Sequence, residues 1–142
     1  MEIKIKSLSG NFPSYETDGS AGMDIRAHLD EPVELKPGGR ALIPTGLFME
    51  IPNGFEVQIR ARSGLAVKYG IGLTNGVGTI DSDYRGEIKV ALINWGSESF
   101  TVNNGERIAQ MVAARYEKVE FKAAEKLSDT ERGSGGFGHT GI

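Results

Sequence analysis

Alternation of apolar and polar side chains dominates this chain. Residues 2–6, 55–60 and 99–102 each place apolar side chains at every second position, which is typical of β-strands with one buried face. Residues 87–93 and 108–112 are more continuously apolar, as expected for strands that are buried on both sides. The pattern therefore predicts an all-β protein.

Turn-forming residues separate these predicted strands. Clusters of Gly, Pro and Asn occur at residues 36–39, 51–54, 94–96 and 103–105. This spacing favours a sandwich or barrel, and 142 residues are enough for one domain with a sizeable core. A single short helix is predicted over residues 64–69, with Ser63 as its N-cap.

Composition and charge exclude several classes of function. The net charge of −3 provides no broad basic surface, so we expect no nucleic-acid partner. The absence of Cys excludes disulfides and thiolate metal sites, and two distant histidines, His28 and His139, argue against a histidine metal cage or triad. No apolar run is long enough to span a membrane, and residues 1–6 do not resemble a signal peptide. We therefore expect a cytoplasmic protein.

The C-terminal residues differ from the rest of the chain. Residues 129–142 contain five Gly and no strand pattern, so we divide the chain into a β domain over residues 1–128 and a mobile arm over residues 129–142. Composition alone favours a flexible terminus. The arm also contains Arg132 and Phe137 among small residues, a pattern suited to closing over a phosphate and a ring. Both interpretations stay open.

Residues 78–87 form the most informative segment. They place Asp81, Asp83 and Glu87 close to Tyr84 and Arg85, between two apolar runs. A carboxylate at the end of a strand can take a proton from water, and a nearby aromatic ring can pack against a sugar or a base. An ordinary turn would have the same composition.

Four other segments each have a structural and a functional interpretation. Residues 62–64 suit a phosphate at a helix start, or a plain cap beside a surface arginine. Gln110 is polar in a mostly apolar strand, so a ligand or a neighbouring strand must supply its partners. Asp24 suits a metal-bound water or an ion pair with an arginine. Asn75 begins a hairpin-like turn, and its amide could also read a pyrimidine.

Taken together and in this order, these segments resemble the five motifs of the trimeric dUTPase family. The matching segments are residues 21–24, 62–66, 78–87, 105–110 and 132–138. Ala61 departs from the family, in which Pro often precedes the arginine, and this difference affects only a loop. The resemblance implies a jelly-roll-like distorted barrel or sandwich. It also implies a homotrimer with active sites between subunits, in which the arm reaches over a neighbour's site.

The resemblance also implies an activity and a set of roles. The expected reaction is hydrolysis of dUTP to dUMP and pyrophosphate, which keeps uracil out of DNA and supplies dUMP for dTMP synthesis. Asp81 is expected to be the general base, Tyr84 to pack against the deoxyribose, and Asp24 to contact the cofactor Mg²⁺ through water only. Contacts to uracil are expected from Asn75, Gly78, Thr79, Ile80 and Phe137. Further substrate contacts are expected from Arg62, Ser63, Gly64, Lys89, Gln110, Arg132, Ser134, Gly135, Gly136 and Gly138.

Two other functions compete with this one. The dCTP deaminases resemble this fold and carry a catalytic Glu at the position of Ala91, so this chain lacks their acid–base group. A module that binds a nucleotide without turnover is the second alternative. The presence of Asp81, Arg62 and Gln110 speaks against it, because a binding remnant could lose them.

Overall fold

The structure is a computed structural model, and it describes residues 1–136. Within this part of the chain, eleven strands and one short helix follow one another, which confirms the all-β prediction with a single helix. The elements are β1 (Lys4–Ser7), β2 (Ser14–Tyr15), β3 (Met23–Arg26), β4 (Val33–Leu35), β5 (Arg40–Glu50), β6 (Phe55–Arg60), α1 (Ser63–Tyr69), β7 (Ile71–Leu73), β8 (Val77–Ile80), β9 (Ile88–Asn94), β10 (Phe100–Val102) and β11 (Arg107–Arg115).

The strands form three antiparallel sheets around one core. A four-stranded sheet has the order β1-β5-β9-β7, a five-stranded sheet has the order β2-β3-β11-β6-β8, and β4 pairs with β10. Apolar side chains from all three sheets join one buried cluster, among them Ile88 and Val90, Ile25 and Met111, and Val102. Each such side chain stabilises the fold by about 1.5–3 kcal/mol relative to an exposed one.

The longest strand, β5, has no counterpart among the predicted strands. It contains Pro44 and Gly46, two residues that normally interrupt strands. The pairing of β5 with β9 shifts register between Pro44 and Leu47, and Gly46 has a φ of 67°. The strand therefore continues through a β-bulge, which accommodates both residues.

The Asn75-Gly76 dipeptide forms a turn, but the turn does not close a hairpin. It joins β7, which pairs with β9, to β8, which pairs with β6 in the other large sheet. Gly76 has a φ of 70°, a conformation that favours glycine. The turn thus carries the chain from one sheet to the other, a connection that local sequence does not encode.

The helix begins one residue earlier than predicted. Ser63 is its first helical residue, and the N-cap position belongs to Arg62, which is extended and makes no side-chain capping bond. The prediction of Ser63 as N-cap is therefore wrong. The carbonyl oxygen of Arg62 accepts the bond from the N–H of Ala66 at 3.0 Å, and its guanidinium group takes no part in capping the helix.

The last strand ends at Arg115, and the C-terminal segment, residues 116–136, contains no helix or strand. Every residue from 117 to 134 is exposed. Phe137 and Gly138 lie outside the described residues, and the domain boundary at residue 128 stays a prediction. Among the described residues, no helix has the length and apolar character needed to cross a membrane.

Candidate active site

Asp24 lies at the centre of a group of polar side chains from three elements. Its Oδ1 atom accepts a hydrogen bond from Nε of Arg62 at 3.0 Å, and its Oδ2 atom accepts one from Nη1 of Arg107 at 3.0 Å. Asp24 is 17% exposed and Arg62 is 25% exposed, so water screens this pair only partly. Of the two interpretations of Asp24, the ion pair is present. We call Asp24, Arg62, Arg107 and Gln110 the Asp24 cluster.

Strand pairing and a backbone carbonyl group hold Gln110 beside this ion pair. In the five-stranded sheet it lies opposite Asp24 on one side and Arg60 on the other. Its Nε2 atom donates to the carbonyl oxygen of Ala61 at 3.0 Å. A Cβ atom on Gly22 would lie 2.2 Å from its Oε1 atom, so the Gln110 side chain can keep its observed position only with glycine at residue 22. A neighbouring loop therefore supplies one partner of the amide.

Arg107 belongs to the cluster although the sequence did not single it out. Its carbonyl oxygen also accepts a bond from Nη1 of Arg62 at 3.1 Å, and its guanidinium lies 4.0 Å from the exposed Glu16. If the strand alternated strictly, Arg107 and Gln110 would lie on opposite faces, because they are three residues apart. The pairing with β3 shifts register between Arg107 and Ala109, and this irregularity was not visible in the sequence.

The start of α1 adds backbone donors beside the cluster. Ser63 and Gly64 are exposed, and the first N–H groups of a helix have no intrahelical partner. No heavy atom lies within 4 Å of the position that a Cβ atom on Gly64 would take. Next to Arg62, this open space with unpaired N–H groups suits an anionic group.

A second group of predicted residues lies on β8 and the turn before it. Gly78 lies directly against Asn75, because a Cβ atom at Gly78 would be 3.5 Å from Nδ2 of Asn75. Thr79 is exposed and Ile80 is half-buried. The Asn75 amide and the backbone of β8 therefore offer hydrogen-bonding groups side by side.

The 81–87 loop, residues 81–87, follows β8 and fixes Tyr84. The hydroxyl of Tyr84 donates to the carbonyl oxygen of Glu87 at 2.9 Å. The backbone N–H of Tyr84 donates to the carbonyl oxygen of Asp81 at 3.2 Å. Tyr84 is 44% exposed, so part of the fixed ring is open to a ligand. The Asp81 carboxylate is exposed and has no hydrogen-bond partner among residues 1–136, while Lys89 lies 3.7 Å from the Glu87 carboxylate.

One copy of the chain does not bring these two groups together. Ile80 pairs with Val57, and Val57 pairs with Ala113, which lies three residues beyond Gln110 on β11. Two strand spacings and three residues separate Ile80 from Gln110 by about 14 Å in the plane of the sheet. Asp81 lies one residue farther along the chain. Its carboxylate is therefore beyond hydrogen-bond reach of the Asp24 cluster.

Within residues 1–136, the hydrogen bonds around the predicted contacts of the C-terminal segment stay inside that segment. Nε of Arg132 donates to the carbonyl oxygen of Gly135 at 2.8 Å, and the N–H of Gly133 donates to Thr130 Oγ1 at 3.1 Å. Ser134 is exposed, and Gly135 and Gly136 are half-buried. Arg132 makes no hydrogen bond or ion pair to the Asp24 cluster or to the 81–87 loop within the described residues.

Comparison with known proteins agrees with the resemblance along the whole chain. The sequence model of the dUTPase family matches residues 9–141. A deoxyuridine 5'-triphosphate nucleotidohydrolase from Finegoldia magna is 54% identical over 142 residues, covering 99% of each chain. One from Rickettsia felis is 54% identical over 144 residues, covering 99% of this chain and 97% of its own.

The fold also matches a solved structure. The dUTPase of Staphylococcus bacteriophage 80alpha with dUPNHPP has a TM-score of 0.89 and 27% identity, and the match covers 99% of both chains. This match confirms the jelly-roll-like fold. The sequence and structure comparisons agree, and the chain belongs to the dUTPase family.

Proposed function

We propose that this protein hydrolyses dUTP to dUMP and pyrophosphate. The observation that carries the proposal is the 54% identity, over the full length, to relatives named deoxyuridine 5'-triphosphate nucleotidohydrolase. The geometry supports it, because the chain offers one group of residues suited to phosphates and another suited to a base, a sugar and a water molecule.

In the proposed reaction, Asp81 is the general base. Its exposed carboxylate, with no partner among residues 1–136, is free to accept a proton from water. The water oxygen bonds to the α-phosphorus, and the bond from that phosphorus to the bridging oxygen breaks. Pyrophosphate leaves with the bonding electrons, and dUMP retains the new oxygen. No covalent enzyme intermediate is needed.

The phosphates bind at the Asp24 cluster and the start of α1 in this proposal. Arg62, Ser63, Gly64 and Gln110 supply a guanidinium group, backbone N–H groups and an amide. Asp24 and Ala61 already hold two of these side chains in place, so less conformational entropy is lost when the phosphates bind. Such preorganised donors stabilise the charge that develops on the leaving pyrophosphate.

Uracil and deoxyribose bind along β8 and the 81–87 loop. Asn75 and the backbone of Gly78, Thr79 and Ile80 pair with the uracil edge, and Tyr84 packs against the sugar and excludes a 2′-hydroxyl. Cytosine binds less well than uracil because its amino group leaves a backbone partner unpaired, at a cost of about 1–3 kcal/mol. Lys89 adds a further nucleotide contact in this proposal.

The active site is shared between copies of the chain in a homotrimer. Adjacent phosphates share a bridging oxygen and lie close together, so a triphosphate held at Gln110 needs its general base close by. The separation of about 14 Å between Ile80 and Gln110 within one copy supports an arrangement in which Asp81 of one subunit faces the Asp24 cluster of another.

Magnesium is the proposed cofactor. Among the described residues, no three His, Cys, Asp or Glu side chains are grouped to hold a metal, so the chain offers no all-protein cage. This fits Mg²⁺, which prefers phosphate oxygens and water. Asp24 would contact the ion only through water, using lone pairs that the two arginines leave free. When bound, the ion neutralises charge on the phosphates.

The C-terminal arm closes the site over the bound nucleotide. Arg132 meets the γ-phosphate, Ser134, Gly135 and Gly136 wrap the phosphate chain, and Phe137 with Gly138 covers the uracil. The exposure of residues 117–134 supports this role, because a segment without its own packing is free to cover a neighbour's site. The division at residue 128 and the cytoplasmic location remain parts of the proposal.

The direct test is pyrophosphate release from dUTP, measured beside dTTP, dCTP and UTP with Mg²⁺ present. We expect turnover of dUTP and at least 10²-fold lower kcat/KM for each of the others, about the discrimination that unpaired polar groups and steric exclusion provide. Ammonia release from dCTP would indicate a deaminase instead. Nucleotide binding without any product would favour the binding module.

A further inference from the structure

The bulge of β5 is hydrogen-bonded to the last residue of the 81–87 loop and to the first residue of β9. The hydroxyl of Thr45 donates to the carbonyl oxygen of Ile88 at 2.6 Å, and Thr45 is 3% exposed. The N–H of Gly46 donates to the carboxylate of Glu87 at 2.9 Å. A hydrogen bond to an ionised carboxylate is stronger than one between neutral groups. These two bonds give the loop a fixed point in the core.

Glu87 joins this fixed point to Tyr84. Its side chain holds the bulge, while its carbonyl oxygen accepts the hydrogen bond from the Tyr84 hydroxyl at 2.9 Å. A Cβ atom on Gly86 would lie 2.4 Å from that hydroxyl, so the ring sits closely over the backbone. A movement of Glu87 therefore moves the ring of Tyr84.

The groups around the Glu87 carboxylate leave it little freedom. Gly46 has a φ of 67°, and a Cβ atom there would lie 3.1 Å from the ring of His28, so the backbone of the bulge is fixed. On the other side, Nζ of Lys89 lies 3.7 Å from the second carboxylate oxygen of Glu87. Glu87 is thus bonded to the rigid strand β5 on one side and to the loop on the other.

We propose that Glu87 is a positioning residue for selection of the sugar. Its carboxylate, anchored on the N–H of Gly46, sets the place of the Tyr84 ring and with it the discrimination against a 2′-hydroxyl. The inference rests on the proposed function, in which Tyr84 packs against the deoxyribose. A displacement of the ring by a fraction of an ångström admits the extra hydroxyl, since selectivity depends on supporting contacts of this kind.

The test compares kcat/KM for dUTP and UTP in the wild-type protein and in Glu87→Ala and Glu87→Gln. The dUTP-to-UTP ratio falls about tenfold in Glu87→Ala because the ring is no longer held. In Glu87→Gln the ratio returns to the wild-type value, because the amide oxygen accepts the same bond from the N–H of Gly46. A merely structural role would lower the melting temperature of Glu87→Ala and leave the ratio unchanged.

Glu50→Ala is the matched control. Glu50 also lies on β5 and pairs with a lysine, Lys4, at 3.1 Å, but it is exposed, and within residues 1–136 it makes no hydrogen bond or ion pair with the 81–87 loop. Its removal leaves the ratio at the wild-type value. Should Glu87→Ala fail to fold, Glu87→Met replaces it, because methionine keeps the length of the side chain without an oxygen acceptor.

An unchanged ratio in Glu87→Ala or Glu87→Met overturns the inference, and so does a Glu87→Gln variant that loses as much selectivity as the alanine variant. These outcomes leave the proposed function standing, provided that the wild-type protein prefers dUTP. A wild-type protein that releases no pyrophosphate from dUTP overturns the proposed function and this inference together.

Discussion

The Asp24 cluster and the C-terminal segment both carry predicted phosphate contacts, and they are built in opposite ways. The cluster joins residues that are 38 and 83 positions apart through hydrogen bonds of 3.0 Å, on two strands of the five-stranded sheet and at the N-cap of α1. In the segment, the hydrogen bonds of Arg132 and Gly133 span three residues, and residues 117–134 are exposed. The cluster is therefore formed before a ligand arrives, whereas in our proposal the segment gains its contacts only from a ligand or a neighbouring copy.

Removal of residues 132–142 gives the largest effect that this comparison predicts. We expect a folded, assembled protein whose kcat/KM for dUTP falls by about 10²-fold or more, because closure excludes water and fixes the triphosphate. The melting temperature stays within about 2 °C of the wild type, since the described part of the segment contributes little packing.

Removal of residues 139–142 alone is the control for this truncation, because it keeps all residues with a proposed role. Pyrophosphate release and thermal unfolding are measured on both proteins. Full activity without residues 132–142 would show that the segment is only a flexible terminus.

Substitution of Asp24 by alanine is expected to have a large effect on stability, whereas removal of the C-terminal segment leaves stability nearly unchanged. Loss of the carboxylate leaves Arg62 and Arg107 next to each other, with only the exposed Glu16, 4.0 Å from Arg107, as a counter-charge, in a site where Asp24 is 17% exposed. We expect a loss of about 2 kcal/mol in the free energy of unfolding, less than for a fully buried pair because Arg107 is partly solvated. Chemical denaturation at constant protein concentration measures it.

The exposed Asp18 provides the matched control for Asp24. Asp18→Ala leaves stability within about 0.5 kcal/mol of the wild type, as is usual for surface positions. Equal stability of the Asp24→Ala and Asp18→Ala variants would contradict a cluster that is held together by its ion pairs.

Substitution of Gly22 by alanine tests how closely the cluster is packed. The new methyl group would lie 2.2 Å from Oε1 of Gln110 and must displace that side chain. We expect a loss of about 1 kcal/mol in stability and weaker binding of a non-hydrolysable dUTP analogue. Gly19→Ala, where no atom lies within 4 Å of the new methyl group, changes neither quantity. Unaltered binding in Gly22→Ala would show that Gln110 does not contribute to the phosphate site.

The smallest effect is expected at Thr130. Its hydroxyl accepts a hydrogen bond of 3.1 Å from the N–H of Gly133, in an exposed part of the segment. Because water replaces this bond, Thr130→Ala changes the free energy of unfolding by less than about 0.5 kcal/mol. Denaturation beside Asp24→Ala shows the contrast directly. A loss as large as that of Asp24→Ala would show that the segment is packed as firmly as the cluster.

The fold was largely predictable because its signals are local. Alternation predicted the strand Phe55–Arg60 at its observed bounds, and the single helix was found within one residue of its observed start. Strand β5 was not predicted, because Pro44 and Gly46 interrupt the pattern and only pairing with β9 shows that they form a bulge. The turn at Asn75 was recognised, but not the change of sheet that it makes.

The site was predictable where the chemistry lies in neighbouring residues and not where it depends on distant pairs. The residue patterns singled out Asp24, Arg62 and Gln110 one at a time, and the family resemblance then gave them roles in one site. That Asp24 holds both arginines follows from the register of β3 and β11, which includes an irregularity at Arg107. Likewise, the bond from Gly46 to Glu87 joins residues 41 positions apart and has no local signal.

We propose that Asp81 of one copy works with the Asp24 cluster of another, and mixed oligomers give the most direct test of this arrangement. Asp81→Asn and Arg62→Gln are each expected to lower turnover of dUTP by about 10²-fold or more. The two variants are unfolded together, refolded as a 1:1 mixture and assayed for pyrophosphate release. In a randomly mixed trimer, about one quarter of the sites combine an intact Asp81 with an intact Arg62. We expect recovery of about that fraction of wild-type activity, and a mixture no more active than its separate components would contradict a site shared between copies.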